Sequence, residues 1–408
     1  MTRIDPAIAI LGGGPIGLEA ALAAAERGLS FTVYEAAGAV GGYVREWGHV
    51  RAFTPWGMNV SERAERFLGA ADMEVPSGPG LPTGRELVDR LLEPLASLPV
   101  LASRLRLRSR VLAVAREGLL KHEEIGSERR ALAPFRILVA EPGGGERIET
   151  ADVVIDCTGT YGHPNRLGDG GIPAAGERAF EGRIGRAIPD VAREPAAWAG
   201  RTVLLTGAGH SAQTAARDLA ALARHAPGTK VIWAVRSTAP TWGAVADDPL
   251  PERAALNAAA AQIAGGASNA IDVRTGAVTE ALTGRDGRVV ATLRNGGREE
   301  VEVDRILALN GGVGDASLYR QLQVHECYAT SGPMKLAAAL LGEAGARGDC
   351  LTQDAHGPET LVNPEPGFFI LGSKSYGRNS QFLLRVGWQQ VEDVMGMVAG
   401  ERAAARRG

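Results

Sequence analysis

The chain has 408 residues, 45% of them hydrophobic and 22% charged, with a formal net charge of −3. That length predicts two or three domains, each able to bury a core, and the near-neutral charge excludes the basic footprint of a nucleic-acid or anionic-membrane binder. No apolar run is long enough to span a bilayer, and the first strand begins too close to the start to leave room for a signal peptide's apolar core. Cys157, Cys327 and Cys350 lie too far apart for a CxxC pair or a disulfide framework, so a cytoplasmic protein is expected.

Residues 7–35, AIAILGGGPIGLEAALAAAERGLSFTVYE, read as an apolar strand, a glycine turn, an alanine-rich helix and a second strand. Gly12-x-Gly14-x-x-Gly17, with Pro15 and Ile16 inside it, therefore lies where such a pattern has a mechanism. The first glycine permits the tight turn, the second lets the backbone approach a pyrophosphate, and the third lets the helix pack closely on the strand. The helix N-terminus then offers N–H groups and a positive dipole end to the phosphates. Glu35 ends the second strand, where a carboxylate accepts hydrogen bonds from both hydroxyls of a ribose. The paired Gly41 and Gly42 follow, and then an aromatic stretch with Trp47, Phe53, Trp56 and Met58, which reads first as core and second as a pocket wall. An alternating stretch, PFRILVAEPGGGERIE, leads into DVVIDCTG, which ends at Gly159.

Residues 202–236 repeat the opening order. Gly207, Gly209, His210, Ser211 and Ala212 form a GxGxxA loop, and the strand VIWAVR ends in Arg236 rather than an acid. An arginine there suits the 2′-phosphate of NADPH, which a carboxylate would repel. A second alternating stretch, GRVVATLRNGGREEVEV, again leads into an acid, an apolar strand and a glycine pair, DRILALNGG. The C-terminal part reads as a strand at Phe368–Leu371, a polar loop and a helix beginning near Gln381. The predicted fold is α/β, with two Rossmann-like dinucleotide-binding domains, the second inserted into the first, each with an added β-meander. The expected boundaries are 1–165, 166–305 and 306–408.

EAAGAVGGYVREW and the G-x-G-x-S-A loop resemble segments of the flavin-containing (class B) monooxygenases and their relatives among two-dinucleotide-binding-domain flavoproteins. DCTGTYGHPNRLG resembles their first domain crossing, and FEGRIGRAIPD a variant of their F-x-G-x-x-x-H motif with Arg186 in the histidine's place. The resemblance implies FAD on the first domain, held by the Gly12–Gly17 loop, Glu35, Gly41, Gly42 and Gly159. It implies a flavin-facing role for the C-terminal loop, with Ser373, Asn379 and Gln381 as candidates, and an asparagine near the flavin, for which Asn59 is the candidate. NADPH is expected on the second domain. The leading function is an FAD-dependent, NADPH-oxidising oxidoreductase that, like a flavin-containing monooxygenase, oxygenates a heteroatom of a small molecule. Two alternatives remain: an NAD(P)H:acceptor reductase, and a redox sensor that binds FAD without turnover. A homodimer is left open. Cys157 reads as packing, and Cys327, two residues from His325, as a candidate thiolate–imidazole pair.

Overall fold

In the computed structural model residues 6–343 and 356–405 are described, which leaves Cys350 outside. The chain divides into two units: Met1–Gly48, Thr54–His163 and Val313–Gly408 form unit 1, and His49–Phe53 with Pro164–Gly312 form unit 2. In unit 1, β1 (Ala7–Leu11), helix α1 (Pro15–Glu26), β2 (Ser30–Tyr34) and the short β3 (Leu105–Arg106) precede a meander of β4 (Arg110–Arg116), β5 (Phe135–Ala140) and β6 (Glu146–Ala151). The unit's parallel sheet gains β7 (Val153–Asp156) beside β1. Unit 2 holds β8 (Ile184–Gly185), β9 (Thr202–Thr206), helix α2 (His210–Ala223), β10 (Lys230–Val235), helix α3 (Pro251–Gln262) and β11 (Ile271–Thr275). Its own meander follows as β12 (Val278–Arg285), β13 (Arg288–Asn295) and β14 (Gly297–Val303), and β15 (Arg305–Ala308) closes the unit. Back in unit 1 lie β16 (Phe368–Ile370) and helix α4 (Leu384–Ala405).

Both large sheets are parallel, in the orders β16-β7-β1-β2-β3 and β11-β10-β9-β15-β8. Their central strands are apolar throughout because both faces are covered; Ile8, Ile10, Val203, Leu204 and Leu205 are all essentially inaccessible. Helix α1 forms because alanine and leucine carry little side-chain entropy cost and Pro15 at its first turn needs no N–H partner. It stops at Glu26, two residues before Gly28, which takes a left-handed φ of 61°.

The acids that precede the crossing strands have the same job in both units. Asp152 accepts a hydrogen bond from the N–H of Ala7 (2.8 Å) and Asp304 from that of Thr202 (2.7 Å), so each carboxylate seals the start of the neighbouring strand. The second expected boundary, at 305/306, shifts to 312/313, because β15 pairs with β9 and so belongs to the inserted unit. The first shifts by two residues, to 163/164. Pro164 and Gly312 pair as an isolated antiparallel bridge, and the Asn165 N–H donates to Gly311 O (2.9 Å).

Three buried charges fasten the returning segment of unit 1. Glu365 accepts from Arg116 Nε (2.7 Å) and Arg130 Nη2 (2.7 Å), and all three side chains are fully buried. Arg130 Nη1 also donates to Leu120 O and Glu123 O, which pins the excursion between β4 and β5.

Candidate functional site: two glycine loops

In unit 1 the loop after β1 is built as its glycines demand. Gly12 has φ 100°, and a Cβ there would lie 2.8 Å from Cys157 O at the end of β7. A Cβ on Gly17 would collide with Gly12 O, so only glycine lets α1 sit this close. Gly14, the N-cap of α1, has no side-chain cap, and a Cβ there would meet nothing within 4 Å. Uncapped N–H groups facing open space fit a phosphate. Glu35 is 9% exposed, and its two oxygens accept from the Gly13 and Ala37 N–H groups, each at 2.7 Å. The carboxylate thus stiffens the loop while keeping lone pairs for ribose hydroxyls. Gly41 (φ 66°) donates to Gly13 O, and a Cβ on Gly42 would press on Ala37, so the paired glycines pack on the first loop.

Other predicted residues of unit 1 divide. Gly159 (φ 70°) and Ser373 come together: a Cβ on Gly159 would lie 3.6 Å from Ser373 Oγ. Ile16 is a packing residue, wedged where Cβ atoms on Gly372 or Gly387 would strike it. Asn379 Oδ1 accepts from the Gln381 N–H (2.9 Å), a turn that delays α4 to Leu384 rather than Gln381. Asn59 is 7% exposed and spends both amide hydrogens on Thr54 O and Pro55 O, each at 2.8 Å, while its Oδ1 accepts from Thr54 Oγ1. Trp47 packs against Gly84, and Trp56 is buried beneath Arg90.

The loop from Gly372 to Tyr376 holds what the sequence did not reveal. Lys374, one of four lysines in the chain, is 2% exposed and donates to Asp156 Oδ2 (2.6 Å), Thr158 Oγ1 (3.1 Å) and Asp315 O (2.8 Å). Ser375, fully buried, donates to Gly372 O and accepts from Gln390 Nε2. This part of the polar loop is therefore interior. Burial, with Asp156 beside it, pushes the Cys157 thiol up, as expected for packing. The Cys327 thiol is lowered by the Thr330 hydroxyl and by the Thr330 and Ala329 N–H groups.

In unit 2, Gly207 (φ 107°) fits where a Cβ would collide with Leu309 O, the counterpart of Gly12 beneath Cys157. Gly209 caps α2 with no side-chain cap and open space around it. Ala212 is fully buried, Ser211 is exposed, and His210 is half-buried with Phe53 edge-on to its ring at 5.1 Å. Phe53 thus belongs to unit 2, as part of the short segment His49–Phe53. Arg236 is exposed just past β10, a placement suited to an external anion.

Residues 10–72 match the family described as an NAD(P)-binding Rossmann-like domain. No curated protein matches the chain. Among solved structures, a bacillithiol disulfide reductase from Bacillus cereus is 18% identical, with a TM-score of 0.68 over 97% of this chain and 99% of that one. The ornithine hydroxylase of Pseudomonas aeruginosa is 17% identical (TM-score 0.63, 97% and 99% covered). The cadaverine monooxygenase DfoA of Erwinia amylovora, solved bound to FAD, is 12% identical (TM-score 0.64, 97% and 94% covered). The fold is that of the two-domain flavoproteins. Two nucleotide units, one inserted in the other, each with a meander, form this architecture along nearly the full chain. No helix among the described residues is long and apolar enough to cross a membrane.

Proposed function

We propose that the protein is an FAD-dependent oxidoreductase that draws electrons from NADPH and passes them to a small molecule. The observation that carries this reading is the opposite charge at equivalent strand ends: a buried Glu35 in unit 1 and an exposed Arg236 in unit 2. Glu35 accepts the ribose hydroxyls of FAD, while the first turn of α1 receives its diphosphate. The first turn of α2 receives the diphosphate of NADPH, and Arg236 its 2′-phosphate. When bound, FAD supplies hydride acceptance from the nicotinamide and electron delivery to the acceptor. The polypeptide holds the two nucleotides and shields the acceptor.

The finer reading is oxygenation of a heteroatom on a small molecule, in line with the hydroxylases among the structural neighbours. Asn59 supports a second reading, a reductase that does not oxygenate, because its amide N–H groups are committed to the 54–59 turn. Purified protein is expected to be yellow, and NADPH added without oxygen to bleach it. Flavin that stays oxidised overturns both enzyme readings and leaves the redox sensor. With oxygen readmitted, NADPH consumed in excess of peroxide released, in the presence of a trial amine or sulfide, supports oxygenation. Stoichiometric peroxide, with or without such a substrate, supports the reductase.

A further inference from the structure

The residues around His210 place a buried acceptor, the side-chain oxygen of Asn257, on one side of its ring. Asn257 on α3 is 4% exposed; its Nδ2 donates to Gly243 O (2.9 Å), while its Oδ1 is buried with no donor. His210 Nε2 and Asn257 Oδ1 converge on Gly243, whose Cβ would lie 3.6 and 3.8 Å from them. The segment that carries Gly243 is fixed to the glycine loop itself, because Gln213 Nε2 donates to both Ala208 O and Trp242 O, each at 2.9 Å. Trp242 adopts a left-handed φ of 57° and packs on Trp233, whose Nε1 donates to Gly207 O. Ring, acceptor and phosphate-facing loop are therefore one rigid assembly.

The charges facing the ring are few and of mixed sign. Arg253 of α3 and Asp248 of the preceding loop form a buried ion pair at 2.7 Å beside it. The His49–Phe53 segment presents Phe53 to the ring and carries Arg51 two residues earlier. Burial and then Arg253 lower the ring's proton affinity, against the opposing pull of Asn257 and Asp248. The free ring is thus neutral at neutral pH, at the first position of α2.

We propose that His210 takes up a proton from solvent when a dinucleotide diphosphate docks at the N-terminus of α2, so that the imidazolium bridges the phosphate oxygens and Asn257 Oδ1. This rests on the reading of the second glycine loop as an NADPH site and adds a proton to it. An anion beside an imidazole favours the charged ring, and the neutral ring has a single N–H, so only the charged ring can donate to a phosphate oxygen and to Asn257 Oδ1 together. The linkage has a definite sign. Bound, the ring's proton affinity is raised; free, it is depressed. NADP+ affinity therefore rises as pH falls from the bound-state to the free-state value, by at most about tenfold per pH unit, and is flat outside that window.

Calorimetric titration of the flavin-loaded full chain with NADP+, at one pH in buffers of different ionisation enthalpy, reads the protons taken up. The same titration with His210→Gln subtracts any contribution from the 2′-phosphate. The wild type is expected to take up more protons than the variant, and the variant to lose the steeper pH dependence. Proton NMR of the imidazoles of the unmodified protein gives a reading that does not depend on the variant's folding: the His210 titration should move to higher pH with NADP+. Equal proton uptake in the two proteins, or an unmoved His210 titration with NADP+ bound, overturns the inference and leaves the cofactor reading intact. Failure of NADP+ to bind overturns both.

Discussion

The two nucleotide units share a frame and differ in what they do with charge. In each, an acid before the crossing strand seals the first strand, and a glycine with positive φ lies under a carbonyl at the end of the crossing strand. Beyond that frame they part. Both units bury ion pairs, Lys374 with Asp156 and Glu365 between two arginines in unit 1 and Arg253 with Asp248 in unit 2, but at the end of its second strand unit 1 buries Glu35 against two N–H groups. Unit 2 leaves Arg236 exposed and holds a neutral ring at the start of its helix. Under the proposed function, the buried carboxylate would hold a resident FAD, and the exposed arginine would meet an exchanging NADPH. The frame comes from the backbone, and the difference from a handful of side chains.

That contrast can be broken, and the largest effect is expected at Glu365. Glu365→Ala strands two buried guanidiniums and should cost about 3–5 kcal/mol in denaturant unfolding. Burial alone would raise this carboxyl, but Arg130 and Arg116 hold it below the usual range. Its contribution is therefore complete above the unfolded carboxylate value of about 4.3 and is lost as pH falls through the lower folded value. The wild type should keep a stability advantage over Glu365→Gln at neutral pH that vanishes in strong acid; a constant gap would mean the ion pair is not its source.

Next in size, Arg236→Ala should weaken NADPH by about 1.5–3 kcal/mol, on the order of ten- to a hundredfold, and NADH hardly at all. Equal losses in a binding titration would show that the arginine does not read the 2′-phosphate. Two glycine-loop substitutions then test the shared frame from opposite sides. Gly17→Ala forces a methyl into Gly12 O and should cost about 1–3 kcal/mol, with flavin released on gel filtration. Ala212→Gly removes the equivalent methyl from unit 2, where it has room, and should cost only the helix penalty of about 1 kcal/mol. If the two changes cost the same, the third position of the loop does not distinguish the units.

The fold was legible because its signals are local. Strand, glycine turn, helix and terminal charge occupy some thirty consecutive residues, and their repetition marks the second unit without any knowledge of contacts. The meanders and Asp152 and Asp304 were visible for the same reason. What escaped depends on partners far along the chain. Lys374 lies in a run of polar residues that looks solvated until Asp156, 218 positions away, is placed beside it. Arg130 and Glu365 are 235 apart, and nothing around either announces a buried ion. Phe53 was read with its aromatic neighbours, first as core and second as a pocket wall, yet it sits against His210 in unit 2. Asn59 is the instructive case: its partners are four and five residues away, so a turn locked by the asparagine was within reach of local rules. The family resemblance directed it elsewhere.

The bridge between Pro164 and Gly312 has a consequence for protein engineering. An insertion whose entry and exit are adjacent behaves as a cassette. Excision of residues 164–312 with a short linker is expected to leave unit 1 continuous, with His49–Phe53 as the one piece of unit 2 left behind. The excised piece would need Phe53 restored beside His210 to keep the surroundings of its glycine loop.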